Sequence, residues 1–292
     1  MLWQDLREEQ FEEAIKRSKG LCVIPLGCLE KHGQHEPVGT DYYRAFLFAK
    51  EAAEIEDAVV FPMGPWLGDV AGSHSNTNPG FGRKRGFIGI NIKTQLRIFE
   101  ELCDEIARNG FNKIILFHSH GGNISILDTF LKNQAKKNKP YATFQAWANN
   151  NAANQPTPFL ETVLSRRDEF SFVTDEDIEV MRQWEKTGYQ GGHGNFIETA
   201  EILGHRPDLI EPARYDQENG LNNHRSDYLT DLGINVKGGW SARYPNSYSG
   251  AAPFGCSETI GKAMIKISIE RAVRVYKTIK NDDLSLEAAK LY

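Results

Sequence analysis

This sequence of 292 residues has no long apolar run, no paired cysteines and no excess of positive charge. Each absence removes a class of function. No stretch approaches the roughly 20 apolar residues that span a bilayer, so a membrane partner is not expected. The segment Met1 to Lys19 is rich in Glu, Lys and Arg and lacks the apolar core of a signal peptide. A cytoplasmic location is the expectation. The four cysteines (Cys22, Cys28, Cys103 and Cys256) show no CxxC spacing, which excludes a zinc ribbon or a disulfide framework and predicts free thiols in a reducing compartment. The formal charge is -5, whereas a nucleic-acid binder shows a basic stripe. The densest basic clusters, Lys136, Lys137 and Lys139 and the run Arg83-Lys84-Arg85, read as solvated loops or helix ends. No internal repeat and no long Pro/Gly/Ser linker divides the chain.

What is present is ordinary globular composition, 40% hydrophobic and 25% charged, over a length that can fill one large α/β core. Strand and helix signals alternate. Leu2 to Ser18 reads as a helix and Leu21 to Leu26 (LCVIPL) as a buried strand. Tyr42 to Glu56 reads as a helix and Ala58 to Met63 as a second strand. Lys93 to Asn109 has helical periodicity, with Gly110 at its stop. Lys113 to Phe117 (KIILF) is a strongly apolar strand, Ile124 to Asn138 a helix, Tyr141 to Ala148 a strand and Ser257 to Ile279 a final helix. This order predicts an α/β fold with a mainly parallel sheet and helices on both faces. One domain over residues 1–292 is expected, with the polar segment at about 149–192 as an insertion or cap.

Ligand-type side chains concentrate in three places, each expected where a strand gives way to a loop. Open α/β sheets place their sites at the carboxyl ends of their strands. Gly27 to Asp41 (GCLEKHGQHEPVGTD) follows the first strand and carries Glu30, His32, His35, Glu36 and Asp41. Glu30 and His32 are two apart and project to one side of an extended chain. Gly33, Pro37 and Gly39 bend the chain and can return Asp41 to the same place. Imidazoles with carboxylates suit Zn²⁺, Mn²⁺ or Fe²⁺; the competing reading is a polar surface loop. The second place is Phe117 to Asn123 (FHSHGGN), with His118 and His120. A strand–helix turn explains its glycines but not two histidines, and the helix start favours an anionic or carbonyl oxygen. The third, Gly191 to Ala200 (GGHGNFIETA), offers His193 and Glu198. A lone His there is ordinarily structural, but a carboxylate in so apolar a run needs a partner.

In register, these residues resemble the creatininase (creatinine amidohydrolase) family. Pro25, Gly27, Glu30, His32, Gly33, His35, Pro37 and Asp41 fill its first motif. Ser119-His120-Gly121-Gly122-Asn123 matches the second, and His193-Gly194-Asn195 with Glu198-Thr199-Ala200 the third. The resemblance implies a three-layer α/β/α domain with a mainly parallel sheet, often assembled as a homohexamer. It implies two divalent cations per chain, Zn²⁺ first and Mn²⁺ or Fe²⁺ as alternatives. Asp41 would bridge them, with Glu30 and His120 completing one site and His32 and Glu198 the other. His193 would act in proton transfer near the substrate, and His35 would support the ligands from behind. The implied reaction is hydrolysis of a non-peptide C–N bond, of cyclic-amide or formamide type, in a small molecule. Trp66, Trp147 and Trp240 could line the pocket, though aromatics more often fill cores.

The sequence also departs from the family. Enzymes that open creatinine carry a Glu two residues after the second-motif His, where this chain has Gly122. Glu198 must then supply that carboxylate. Gly191-Gly192 replaces the acid often found before the third-motif His, and the family's Pro-Gly-Thr segment survives only as Pro79-Gly80. These departures weigh against creatinine itself as the substrate. Two other readings use the same residues. One is a metal-dependent sugar or polyol isomerase or lyase. The other is a non-catalytic metal- or small-molecule-binding protein.

Overall fold

A strand covered on both faces needs apolar residues without alternation, and LCVIPL supplies them. Leu21–Leu26 forms strand β1, with all six residues buried. Lys113–His118 forms β3, equally buried. Between them in sequence, Val59–Val60 forms the short β2, and Ala142–Trp147 forms β4. The computed structural model describes residues 1–62, 64, 67–68, 86–149, 159–187, 192–235 and 238–291. Among them the four strands make one parallel sheet in the order β2-β1-β3-β4.

Helices α1 (Phe11–Ser18), α2 (Thr40–Ile55), α3 (Ile92–Arg108) and α4 (Asn123–Gln134) alternate with these strands. Then come α5 (Phe159–Ser165), α6 (Asp175–Lys186), α7 (Phe196–His205), α8 (Asp227–Thr230), α9 (Gly239–Arg243), α10 (Glu258–Lys280) and α11 (Leu284–Ala288). Alternate residues of the central strands feed two cores. Leu21, Val23, Ile115 and Phe117 pack with Ala45, Phe48 and Ala49 of α2 and with Ile269, Ala272 and Tyr276 of α10. Cys22, Ile24, Ile114 and Leu116 pack the other way, against Phe99 and Cys103 of α3 and Ile126 and Phe130 of α4. The fold is therefore the expected three-layer α/β/α arrangement. No helix among the described residues is long and apolar enough to cross a membrane.

Helices α5 and α6 carry the described part of the polar segment after residue 149. Phe159, Val163, Ile178 and Met181 join Phe196, Ala200, Ile260 and Met264 in a third core on α7 and α10. Helix α7 lies directly on α10. A Cβ on Gly261 would fall 2.0 Å from Ala200 O and 2.7 Å from Gly204 N, so glycine sets how closely the two helices approach. That contact seats α7, and α7 carries Glu198.

The expected helix from Leu2 to Ser18 is shorter. Trp3–Asp5 and Glu8–Gln10 are single 3₁₀ turns, and the α-helix begins at Phe11. The chain start is held in another way: Leu2 bridges to Val60, and the Val60 N–H donates to Met1 O at 2.8 Å. Sheet pairing at this edge outweighs helical propensity. The strand expected at Ala58 to Met63 is confined to Val59–Val60, and Met63 lies outside the described residues. Helix α4 ends at Gln134, four residues before the expected Asn138.

Candidate metal centre

Leu26 ends β1 beside His118, which ends β3, and His118 in turn pairs with Trp147 of β4. The two catalysis-type loops thus leave the sheet side by side. Asp41 falls in the first turn of α2, and Glu198 in the first turn of α7. Both places favour a carboxylate, because unpaired N–H groups and the helix dipole point at it. Asn195 caps α7, its Oδ1 accepting from the Ile197 and Glu198 N–H groups at 3.2 and 3.3 Å.

Asp41 Oδ2 is the meeting point. It lies 3.1 Å from His120 Nδ1 and 3.5 Å from His32 Nε2, and it accepts from the Cys28 thiol at 3.1 Å. Glu30 Oε1 is 2.9 Å from His120 Nδ1 and 3.5 Å from His193 Nδ1. His32 Nε2 is 3.7 Å from Glu198 Oε2. Three overlapping donor sets result: Cys28, Glu30, Asp41 and His120; Glu30, His32 and His193; and His32, Asp41 and Glu198. Within each set the ligand atoms lie within 4.8 Å of one another.

These residues fit a divalent cation. Among the described residues, Glu30 Oε1 and His32 Nε2 are buried and make no well-directed hydrogen bond, although other members of the cluster lie close to both, which is costly unless something else satisfies them. The His32 ring is oriented for the task. Its Nδ1 faces Glu30 C=O at 3.1 Å; an N–H there fixes the tautomer and leaves the Nε2 lone pair toward Asp41 and Glu198. Mixed imidazole and carboxylate donors suit first-row divalent ions.

The electrostatics of the metal-free cluster point the same way. Burial alone would raise the Asp41 carboxyl, but the His32 and His120 imidazoles outweigh it and hold Asp41 well below the usual carboxylate range. Burial would likewise depress His32, yet Asp41 and Glu198 push it up to about 10. The Glu30 carboxyl is also lowered, since His193 and His120 more than offset its burial. Buried carboxylates here demand positive charge, which protons or metal ions can supply.

A cavity of about 420 Å³ opens over the cluster. Its floor includes Glu30, Asp41, His120 and Glu198, and Trp147, Trp240, Ser119 and Ser249 are among its walls. His193 borders it. The Nε2 of His193 faces Lys31 C=O at 2.7 Å. Its ring lies against His32 with centroids 3.9 Å apart, and meets Trp240 edge-on at 5.2 Å.

A family model described as creatinine amidohydrolase (creatininase) matches residues 4–276. The chain belongs to the creatininase family. Members of this family are hydrolases acting on C–N bonds other than peptide bonds. A curated relative, the creatinine amidohydrolase of Pseudomonas putida, is 26% identical over 214 residues, covering 72% of this chain and 74% of the relative. A crystal structure of creatinine amidohydrolase superposes with a TM-score of 0.67 at 17% identity, covering 96% of this chain and 98% of the other. A Zn–Zn form of a creatininase variant superposes with a TM-score of 0.64 at 17% identity, with the same coverage. At such identities the superpositions speak for the shared fold.

Six residues singled out in the sequence, Glu30, His32, Asp41, His120, His193 and Glu198, come together in this one cluster. His35 stands behind it: its Nε2 faces Gly194 C=O at 3.0 Å and lies 3.6 Å from Glu36 Oε1. His118 is buried, with Nδ1 3.2 Å from His120 C=O and its ring 4.5 Å from that of Trp147. Burial pulls His118 down to about 4. Trp147 and Trp240 do line the cavity. Trp66, Pro79-Gly80 and the Arg83-Lys84-Arg85 run lie outside the described residues.

Sequence reasoning missed Arg44 and Glu201. Arg44 is 1% exposed. Its Nη1 donates to Glu198 Oε1 at 2.6 Å and its Nε to Glu201 Oε2 at 2.7 Å, and Asp41 Oδ1 is 3.8 Å away. Arg44 and Glu201 carried a usable signal. Asp41, Arg44, Ala45, Phe48 and Ala49 fall on one stripe of α2, so the arginine is in phase with the apolar positions. Glu198 and Glu201 are likewise three apart in the apolar run FIETAEIL. Ser119, which the second motif includes, donates its hydroxyl to the Asp41 carbonyl.

Proposed function

We propose that this chain is a metal-dependent amidohydrolase that cleaves a cyclic-amide or formamide-type C–N bond in a small molecule. The observation that carries the reading is the pair of orphaned buried atoms, Glu30 Oε1 and His32 Nε2, converging on Asp41 beneath a cavity. Relatives support it: the family is one of amidohydrolases, and its solved members include zinc–zinc and manganese forms. In this reading Glu30, Asp41 and His120 would hold one cation, and His32, Asp41 and Glu198 the other. Asp41 would serve both, as its Oδ2 lies near both imidazoles.

Divalent ions in such a centre lower the pKa of water and polarise a carbonyl oxygen. The chain's own residues supply the rest. With Nε2 of His193 directed at Lys31 C=O, its Nδ1 is the atom free to hold a proton and hand it to a leaving nitrogen. The indoles of Trp147 and Trp240 give the cavity flat apolar walls, which suit a planar amide and limit the entry of bulk water. Arg44 ties up Glu198 Oε1, so Glu198 presents Oε2 to the centre. Creatinine is not the substrate we propose, because Gly122 stands where creatinine-opening enzymes carry a glutamate.

The test is elemental analysis of protein purified without chelator, alongside Asp41→Ala. About two metal equivalents per chain, lost in the variant, are expected for a bridged pair. In a panel of cyclic amides and formamides, ring opening to an amino acid or release of formate with an amine should then be seen. Wild type that takes up neither Zn²⁺ nor Mn²⁺ would remove the basis of the reading. Turnover of an aldose or ketose without entry of solvent oxygen would instead mark an isomerase.

A further inference from the structure

Three of the four cysteines are packing residues. Cys22 and Cys103 belong to the core between the sheet and α3, and Cys256 packs against two other apolar clusters. Among the described residues, Cys28 belongs to none of the apolar clusters, although it is only 1% exposed. A buried free cysteine ordinarily behaves as a small hydrophobe. The neighbours of Cys28 are charged instead: its Sγ lies 3.1 Å from Asp41 Oδ2 and groups with Glu30, Asp41 and His120 within 4.8 Å. In the same group Glu30 Oε1, on a residue only 5% exposed, makes no well-directed hydrogen bond among the described residues. A thiol is a weak hydrogen-bond donor, and a hydroxyl at this position would serve Asp41 better. What sulfur offers over oxygen is a soft donor for a metal ion.

We propose that Cys28 is a fourth protein donor to the cation held by Glu30, Asp41 and His120. It makes that half of the centre sulfur-containing and favours softer ions, Zn²⁺ or Co²⁺, over Mn²⁺. On coordination the S–H proton leaves to solvent and the sulfur lone pair takes up the bond to the cation. The other half, His32, Asp41 and Glu198, has no sulfur in its donor set. The two cations of one chain are therefore chemically unequal. This inference rests on the metal-dependent reading above.

The experiment loads the full-length protein with Co²⁺ and records metal content together with the near-ultraviolet absorption. The expected result is a sulfur-to-cobalt charge-transfer band worth one thiolate per chain, lost in Cys28→Ser and retained in Cys256→Ser. X-ray absorption at the zinc edge of the wild-type protein gives a second readout that needs no variant: one sulfur at about 2.3 Å shared between the two zincs. Full Co²⁺ loading without the band, and zinc without a sulfur neighbour, would overturn the proposal while leaving the metal-dependent reading in place. Cys28 would then be a hydrogen-bond donor to Asp41 alone. Failure of the wild type to take up any metal would overturn both.

Discussion

Replacing Arg44 with methionine removes one guanidinium from among three buried carboxylates. Glu198 Oε1 and Glu201 Oε2 each lie 2.6 Å from its Nη atoms, and Asp41 Oδ1 is 3.8 Å away. Methionine fills much of the volume, so the main effect is charge left without a partner, which costs about 3–5 kcal/mol for a buried pair. Metal ions change that figure. In the reading above they compensate Asp41 and Glu198, and only Glu201 keeps its full dependence on Arg44. The loss should be largest in metal-free protein and smaller when Zn²⁺ is bound. It should also depend on pH. Burial already raises the Glu201 carboxyl against the opposing pull of Arg44, and losing Arg44 pushes it further up. A carboxyl whose folded pKa lies above its unfolded value destabilises progressively as pH rises between the two. The variant's penalty should therefore be greater at pH 8 than at pH 5. Urea unfolding of wild type, Arg44→Met and Arg44→Met/Glu201→Leu, each with and without Zn²⁺, measures this. The double variant should recover part of the loss, because it removes an uncompensated charge. Equal midpoints for wild type and Arg44→Met in both metal states would refute the reasoning.

Two further predictions concern His32 and the glycine packed against its backbone. In metal-free protein His32 is raised to about 10 by Asp41 and Glu198, despite its burial. The stability it contributes is complete below its unfolded pKa of about 6.5 and lost as pH climbs through about 10, on the order of a few kcal/mol. Thermal melts from pH 7 to 10 should fall for metal-free protein and stay flatter with Zn²⁺ bound; parallel curves would contradict this. Gly194 has φ +67°, and a Cβ there would lie 2.9 Å from the His32 carbonyl carbon. Its N–H also donates to Glu198 Oε2 at 2.7 Å. Gly194→Ala should cost about 1–3 kcal/mol in backbone strain and weaken metal retention on a chelating column, whereas unchanged stability and retention would show that the loop gives way.

The legible parts of this molecule were those where one residue type can do only one thing. LCVIPL reads as a buried strand because β-branched and aliphatic residues without alternation suit little else of that length. The motif carboxylates and imidazoles between Glu30 and Glu198 were legible because ordinary loops do not need them. What escaped depended on partners far away in sequence. The chain start pairs with Val60 at the sheet edge, which no local pattern announces. Arg44 looks like any helical arginine until its carboxylate partners arrive from 154 and 157 residues further on. Cys28 gave no CxxC signal, because the groups around it are not cysteines: Glu30 and Asp41 share its own segment and His120 comes from a second one.

That dispersal sets a chronology for a chain made from its amino terminus. Cys28, Glu30, Asp41 and His120 all lie within the first 120 residues and flank the two central strands, β1 and β3. Glu198 rides on α7, which is seated by α10, whose last residue is Lys280. A nascent chain thus holds one donor set long before the other can close. In the two-cation reading proposed above, the first cation would have a place to bind during synthesis while the second would wait for almost the whole polypeptide to emerge and fold. Partial unfolding that lifts α7 from α10 would run this history backwards, and the cation that arrived last would be the first to leave.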